Sequence, residues 1–217
     1  MKKLLFLTLF FSLLMNNIYS QKNNVIKYDS LWYSHPFFID LQAGVWTPIG
    51  KLSEYYNPSV QLGAGFGLGF RKLQVQLMVM ARFPSERILL PIKVNDSIVF
   101  GKTIIGGNVG GWINYSFFRN KFLCSETVIG FTHEFISTDV INPKNNDTLS
   151  VGGLGISLGF NSWFKTFSKL NFGLRTIYTY SRYDNSKNLA NAIGGHSFTF
   201  SLVYRFPRRD PSYEKYF

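Results

Sequence analysis

One cysteine, Cys124, stands in a chain of 217 residues, so no disulfide can form within it and a stapled extracellular scaffold is excluded. A lone cysteine is ordinarily a small packing residue. Acids are scarce: 12 Asp and Glu stand against 23 Lys and Arg, a formal charge of +11. Charge of either sign is thin at 16% of residues while aromatics reach 18%, an unusual balance for a soluble secreted domain. The three histidines, His35, His133 and His196, have no metal-ligand spacing, so no metal and no cofactor is expected. Long apolar runs are missing as well. Leu4 to Met15, interrupted only by Thr8 and Ser12, falls short of the ~20 residues a spanning helix needs.

What that run does have is the flanks of an export signal. Met1, Lys2 and Lys3 precede it, and the polar stretch Asn16 to Ser20 follows, with a small residue before the expected cut at Gln21. No cysteine follows the run to carry a lipid anchor. The division expected is a signal peptide at 1–20, a periplasmic segment at 21–35, a single all-β unit at 36–206 and a tail at 207–217.

Beyond Pro36 the chain alternates with period two, as strands do when their faces meet different surroundings. Phe37, Ile39, Leu41 and Val45 share one face and Asp40, Gln42 and Gly44 the other. Val60, Leu62, Phe66 and Leu68 alternate with Gln61, Gly63, Gly65 and Gly67, and Leu73 to Phe83 with Gln74, Gln76, Met78, Met80 and Arg82. Similar runs recur near 105–117, 123–135, 153–161, 170–181 and 198–206, which makes eight. Each is long enough for the ~9–11 residues of a tilted transmembrane strand. Short basic turns (71–72, 119–121, 164–169) alternate with longer polar loops (48–58, 84–102, 136–149, 182–195), the pattern of a barrel with its termini in the periplasm.

A soluble β-sandwich also alternates, but its polar face should be rich in charge. Here that face is mostly Gly, Ser, Asn and Gln, which suits a narrow lumen where opposite walls meet. Aromatics gather near the strand ends, with Tyr115, Phe117, Phe118, Trp163, Phe164, Tyr204 and Phe206 below and Trp46, Phe83, Phe135, Tyr178 and Tyr180 above, as candidate interfacial girdles. The fold class expected is all-β, a closed antiparallel up-and-down transmembrane barrel of eight strands.

From Pro36 to Phe206 the pattern resembles the small outer-membrane barrels of the OmpA/OmpX type. The last strand, ending in Phe206, is similar to the aromatic-terminated strand that barrel-assembly machinery recognises. The resemblance implies residence in the bacterial outer membrane, contact with its lipids and lipopolysaccharide, and insertion by that machinery. The chain departs from the type by running on past Phe206 into a tail with Pro207 and Pro211, residues that cannot extend a ladder.

Sorting charge by this topology places most of the excess on the periplasmic rim, at residues such as Lys72, Lys121, Lys169 and Arg208, where it would face anionic headgroups. Bases scattered over turns of an exported chain do not suit nucleic acid. The lumen balances three against three: Asp40, Glu126 and Glu134 with Arg82, Arg175 and Arg205. Buried charges must pair. Asp40 and Arg205 are expected across the seam of first and last strands, Arg82 with Glu134 across a glycine-bearing strand, and Glu126 with Arg175 over another.

Two motifs look catalytic and are not. Gly155-Ile156-Ser157-Leu158-Gly159 matches G-x-S-x-G but lies mid-strand, without the strand-to-helix elbow that exposes the serine. The glycines at 63, 65, 67 and 69 fall on one strand face and precede no helix. His196 and Ser197 diverge as strand neighbours, and His133 and Ser137 meet only if a loop folds back. The expectation is a non-enzymatic barrel with a plugged lumen, acting by binding or adhesion through its extracellular loops or as a structural protein of the envelope. A small pore and a lipid-modifying enzyme are the competing classes. Loop 84–102 is expected to form a hairpin around Asn95 and Asp96, with Ile88, Leu89, Leu90 and Ile92 as a possible binding surface. Pro84 and Pro91 argue against its adding a spanning pair of strands.

Overall fold

A computed structural model describes residues 37–70, 72–94, 97–119, 123–140, 148–165, 171–183 and 193–207. The expected signal peptide, the segment 21–35, His35 and the tail beyond Pro207 lie outside the described residues, as do most bases assigned to the periplasmic rim. The elements are β1 (Phe37–Ile49), α1 (Lys51–Tyr55), β2 (Tyr56–Phe70), β3 (Leu73–Glu86), β4 (Leu90–Val94), β5 (Ser97–Arg119), β6 (Leu123–Val140), β7 (Thr148–Lys165), β8 (Asn171–Tyr183) and β9 (Ile193–Pro207).

Eight strands close a barrel in which every neighbouring pair is antiparallel. The order runs β3, β2, β1, β9, β8, β7, β6, β5, and β5 pairs back with β3. At the seam, β1 and β9 keep an unbroken register from Phe38↔Pro207 to Ile49↔His196. The ninth strand, β4, stands outside this wall and pairs only with the outer end of β5, Leu90↔Gly101 to Val94↔Ser97. The hairpin expected in loop 84–102 therefore forms, with its first arm, β4, outside the wall and its second arm continuous with wall strand β5, whose Gly101 to Thr103 pair with β6.

Burial is inverted relative to a water-soluble protein. On β3, Leu77 is 63% exposed while its neighbour Gln76 is wholly buried. The same holds around the wall: Ile39, Leu62, Ile113, Phe131, Leu158, Leu174 and Leu202 face out, while Asp40, Gln61, Asn114, Glu134, Ser157, Arg175 and Ser201 face in. No aqueous solvent favours an apolar exterior around a polar core, and hydrocarbon does. Among the described residues no helix is long and apolar enough to cross a membrane; the crossing is made by strands.

Two irregularities matter. Near Thr103 and Ile105, β5 slips register against β6. Below the slip the even-numbered residues Asn108, Trp112 and Asn114 are buried, and above it Thr103 is buried instead. The extra residue of a bulge causes such a change of phase, and it blurs the alternation of this run in sequence. Second, the expected loop 48–58 contains α1, a single turn entered through Gly50 at φ 64, where a left-handed backbone favours glycine. Leu52 of α1 is buried over Gly195, where an added Cβ would lie 2.6 Å from the Leu52 Cγ.

Glycine also sets how closely strands approach. A Cβ on Gly44 would lie 2.1 Å from the backbone oxygen of Phe200 across the seam, whereas one on Gly111 would meet nothing within 4 Å. Gly44→Ala is expected to cost about 1–3 kcal/mol by overpacking, and Gly111→Ala to leave stability within ~0.5 kcal/mol. Urea unfolding midpoints of the refolded proteins in detergent check both.

Candidate functional site

The polar heart of the molecule lies low in the lumen, where the seam brings Asp40 of β1 directly opposite Arg205 of β9. Arg205 grips the carboxylate with two parallel bonds, Nε to Oδ1 at 2.7 Å and Nη2 to Oδ2 at 2.9 Å, the bidentate geometry guanidinium favours. Its Nη1 donates to Gln74 Oε1 at 2.9 Å, and its planar head packs on Phe38 and Trp163, 3.7 and 4.0 Å from their ring centroids. Asp40 Oδ2 also accepts from Arg175 Nη2 at 3.1 Å and from Gln76 Nε2 at 2.8 Å. One carboxylate thus organises two guanidinium groups.

Glu126 and Arg175 do not form the ion pair expected of them. They lie in one row of the sheet with Asn161 between, since Glu126 is opposite Asn161 on β7 and Asn161 is opposite Arg175 on β8. The amide fills the space that the neighbouring glycines suggested was free. Its Oδ1 accepts from Arg175 Nε at 2.8 Å and its Nδ2 donates to Glu126 Oε2 at 3.2 Å. Glu126 is otherwise held by neutral donors: Trp163 Nε1 at 2.7 Å, Gln74 Nε2 at 2.9 Å and Ser116 Oγ at 3.2 Å. Arg175 completes its shell with Gln42 Oε1 at 3.0 Å and the face of Trp112.

Above this network Met78, Met80, Trp112, Val128 and Ile177 form an apolar layer. Arg82 and Glu134 make a second ionic layer, Nη1 to Oε2 at 2.5 Å, with Gln61 accepting from Arg82 and with Asn108 and Thr132 donating to Glu134. The six lumen charges therefore cancel. Hydrogen bonding is less complete: the Asn114 amide and the indole nitrogens of Trp46 and Trp112 have no protein partner.

The outer mouth is closed by an apolar cap of Trp46, Leu52, Tyr56, Leu90, Ile92, Ile136, Val151, Tyr183 and Ile193. This corrects the reading of loop 84–102 as a binding surface through Ile88, Leu89, Leu90 and Ile92. Leu90 and Ile92 are 1% and 0% exposed, Leu89 is half-buried, and only Ile88 stands in the open. The alternation of β4 turns Leu90 and Ile92 over the mouth, where they join the cap. Beneath it the Tyr56 hydroxyl meets Thr103 Oγ1 at 3.1 Å, and the Thr103 amide donates to Glu86.

Two girdle assignments are corrected likewise. Trp46 belongs to the cap and Trp163 to a small lumen cluster with Cys124 and Val203. Both share strand phase with lumen residues, Trp46 with Asp40 and Gln42, Trp163 with Ser157 and Asn161, a signal the position at a strand end obscured. Phe83, Tyr115, Phe164, Tyr180 and Phe206 do face outward.

No catalytic arrangement emerges from the candidates. Ser157 is a buried lumen residue whose hydroxyl meets Thr179 Oγ1 at 2.9 Å. Ser197 is buried inside while the preceding His196 packs outward against Tyr178 and Tyr180. Among the described residues no group of His, Cys, Asp and Glu is placed to hold a metal ion.

The chain shares this architecture with solved proteins. Neisserial surface protein A, from Neisseria, aligns over 80% of this chain and 97% of its own at 12% identity and a TM-score of 0.55. The N-terminal barrel domain of Pseudomonas aeruginosa OprF aligns over 78% and 97% at 13% identity and 0.45, and Ail, the attachment invasion locus protein of Yersinia pestis, over 78% and 96% at 14% and 0.40. The fold is that of a small bacterial outer-membrane β-barrel. At such identities the likeness is one of fold alone. No protein-family profile and no curated protein sequence matches the chain.

Removing Asp40 charge strands two guanidinium groups, whereas Glu126 loses only one acceptor set. Asp40→Asn should therefore destabilise by about 3–5 kcal/mol and Glu126→Gln by about 1–3 kcal/mol. Urea midpoints in detergent should rank wild type above Glu126→Gln above Asp40→Asn.

Proposed function

We propose that the protein is a non-enzymatic, non-conducting barrel of the outer membrane that serves the envelope structurally and acts from its extracellular side. The observation that carries this reading is the stacking of filled layers across the lumen: the Asp40–Arg175–Arg205 network, the methionine layer, the Arg82–Glu134 pair and the apolar cap. Eight strands enclose only enough room for side chains, and here large ones occupy it. The outward face of the β4–β5 hairpin, with Ile88, Ile98, Phe100 and Ile104 about half exposed or more, offers the surface for extracellular contact. Of the residues read from the sequence as a binding surface, Ile88 belongs to it, while Leu90 and Ile92 belong to the cap. Export by a signal peptide cleaved after Ser20, and insertion by barrel-assembly machinery reading the aromatic end of β9, belong to the same proposal.

Conductance across a planar lipid bilayer tests it. The refolded protein is expected to insert without steady channels. Steady, concentration-dependent single-channel currents would replace the structural reading with a transport one.

A further inference from the structure

Asn114 stands on the inward phase of β5 and is wholly buried, yet neither Nδ2 nor Oδ1 of its amide meets a protein partner. The amides around it are engaged. Gln74 donates to Glu126 and accepts from Arg205, Gln76 donates to Asp40, and Asn161 uses both of its ends. Asn114 is opposite Gln74 on β3 and Val128 on β6. The valine side chain offers no polar atom, and Gln74 is already held at both ends. A buried amide left unmet is costly, so this one calls for a ligand.

A second unmet group lies beside it. Trp112 is the next inward residue up β5, with its indole face taken by Arg175 and its Nε1 without a protein partner. The indole leans over β6, where Nε1 lies 2.8 Å from the place a Gly130 Cβ would take. Gly130 is opposite Trp112 and two residues above Val128, which makes it a diagonal neighbour of Asn114. Diagonal positions on an antiparallel pair lie ~7–8 Å apart, and the Asn114 amide extends from its own Cβ into the lumen. One molecule spans ~5.5 Å with two hydrogen bonds. Gly130 gives the indole its place, since a Cβ there would lie 2.6 Å from the indole Cδ1.

We propose that ordered water binds here, one molecule accepting from Trp112 Nε1 and donating to Asn114 Oδ1. The chemistry of the site selects it. Three lumen acids balance three lumen bases, so an added ion would sit uncompensated. The indole is only a donor and Oδ1 only an acceptor, so the bridging occupant must accept and donate at once. Buried water does this with two to four partners. Met78, Met80, Val128 and Ile177 pack with Trp112 in the apolar layer, which leaves no place for a larger molecule. Held by the water, Trp112 keeps its face on Arg175, and Asn114 acts as a positioning residue for an ionic network to which it makes no hydrogen bond. The inference rests on the filled-lumen reading above: the site holds water and does not pass it.

Magnetisation transfer from water, read by NMR on the folded protein in detergent micelles, tests the site. The Trp112 indole resonance is assigned by its loss in Trp112→Phe. Wild type is expected to show a cross-peak between that indole proton and water with the sign of dipolar contact to a bound molecule. Asn114→Leu, which removes the acceptor, is expected to lose the cross-peak while remaining heat-modifiable on a gel. A wild-type indole proton with no water cross-peak overturns the proposal without recourse to any variant. So does a cross-peak that persists in folded Asn114→Leu, or one with the sign of chemical exchange, which would mean bulk water at the indole. Only that last result also counts against the filled lumen; a closed barrel with a dry indole would leave that reading standing.

Discussion

A sheet in a bilayer cannot leave an edge open, because hydrocarbon offers nothing to an unpaired N–H or C=O. The meeting of β9 with β1 is therefore the contact on which the rest depends. Its register puts Asp40 opposite Arg205, so the seam that satisfies the backbone also creates a bidentate ion pair in the lumen. Closure with eight strands then fixes the interior at a width that side chains must fill. Large residues facing small ones achieve it: Phe38 lies over Gly67, Met78 over Gly65 and Trp112 over Gly130, each where a Cβ would clash.

Filling a narrow barrel with charge is expensive unless every ion meets its complement. This lumen uses neutral amides as spacers between ions of opposite sign. Asn161 relays between Arg175 and Glu126, Gln76 and Gln74 steady Asp40 and Arg205, and Gln61 holds Arg82. The Met78 and Met80 layer keeps the two ionic layers apart, and the cap built from α1, β4 and the outer strand ends covers the upper one. All six lumen charges are engaged with one another or with neutral amides, hydroxyls and an indole. In the proposed reading, function belongs to the outside, on the hairpin above the membrane.

Much of this was legible in the sequence, for physical reasons. Period-two alternation with an uncharged polar face implies a barrel, and closure of the first strand on the last, with Asp40 near the start of one and Arg205 near the end of the other, brings the two to one seam. Other features depend on details that alternation does not carry. The position of Asn161 between Glu126 and Arg175 requires the register of three strands at once. The slip near Thr103 reverses the phase of β5, so no regular pattern reveals which residues turn inward above it. Leu90 and Ile92 read equally well as a surface or a lid until β4 is paired. Trp46 and Trp163 are different: their strand phase places them in the interior, although both lie near strand ends, where girdle aromatics also sit.

Cys124 provides a direct probe of the filled lumen. It is the one thiol in the chain, buried beside Trp163 and Val203 at the lower end of the lumen. The decisive measurement is its reaction rate with a small hydrophilic thiol reagent in the folded, membrane-inserted protein and again after unfolding. A filled lumen predicts no modification while the barrel stays folded and rapid modification once it unfolds. Rapid labelling of the folded barrel would mean that water and solutes enter the lumen, and would contradict the account.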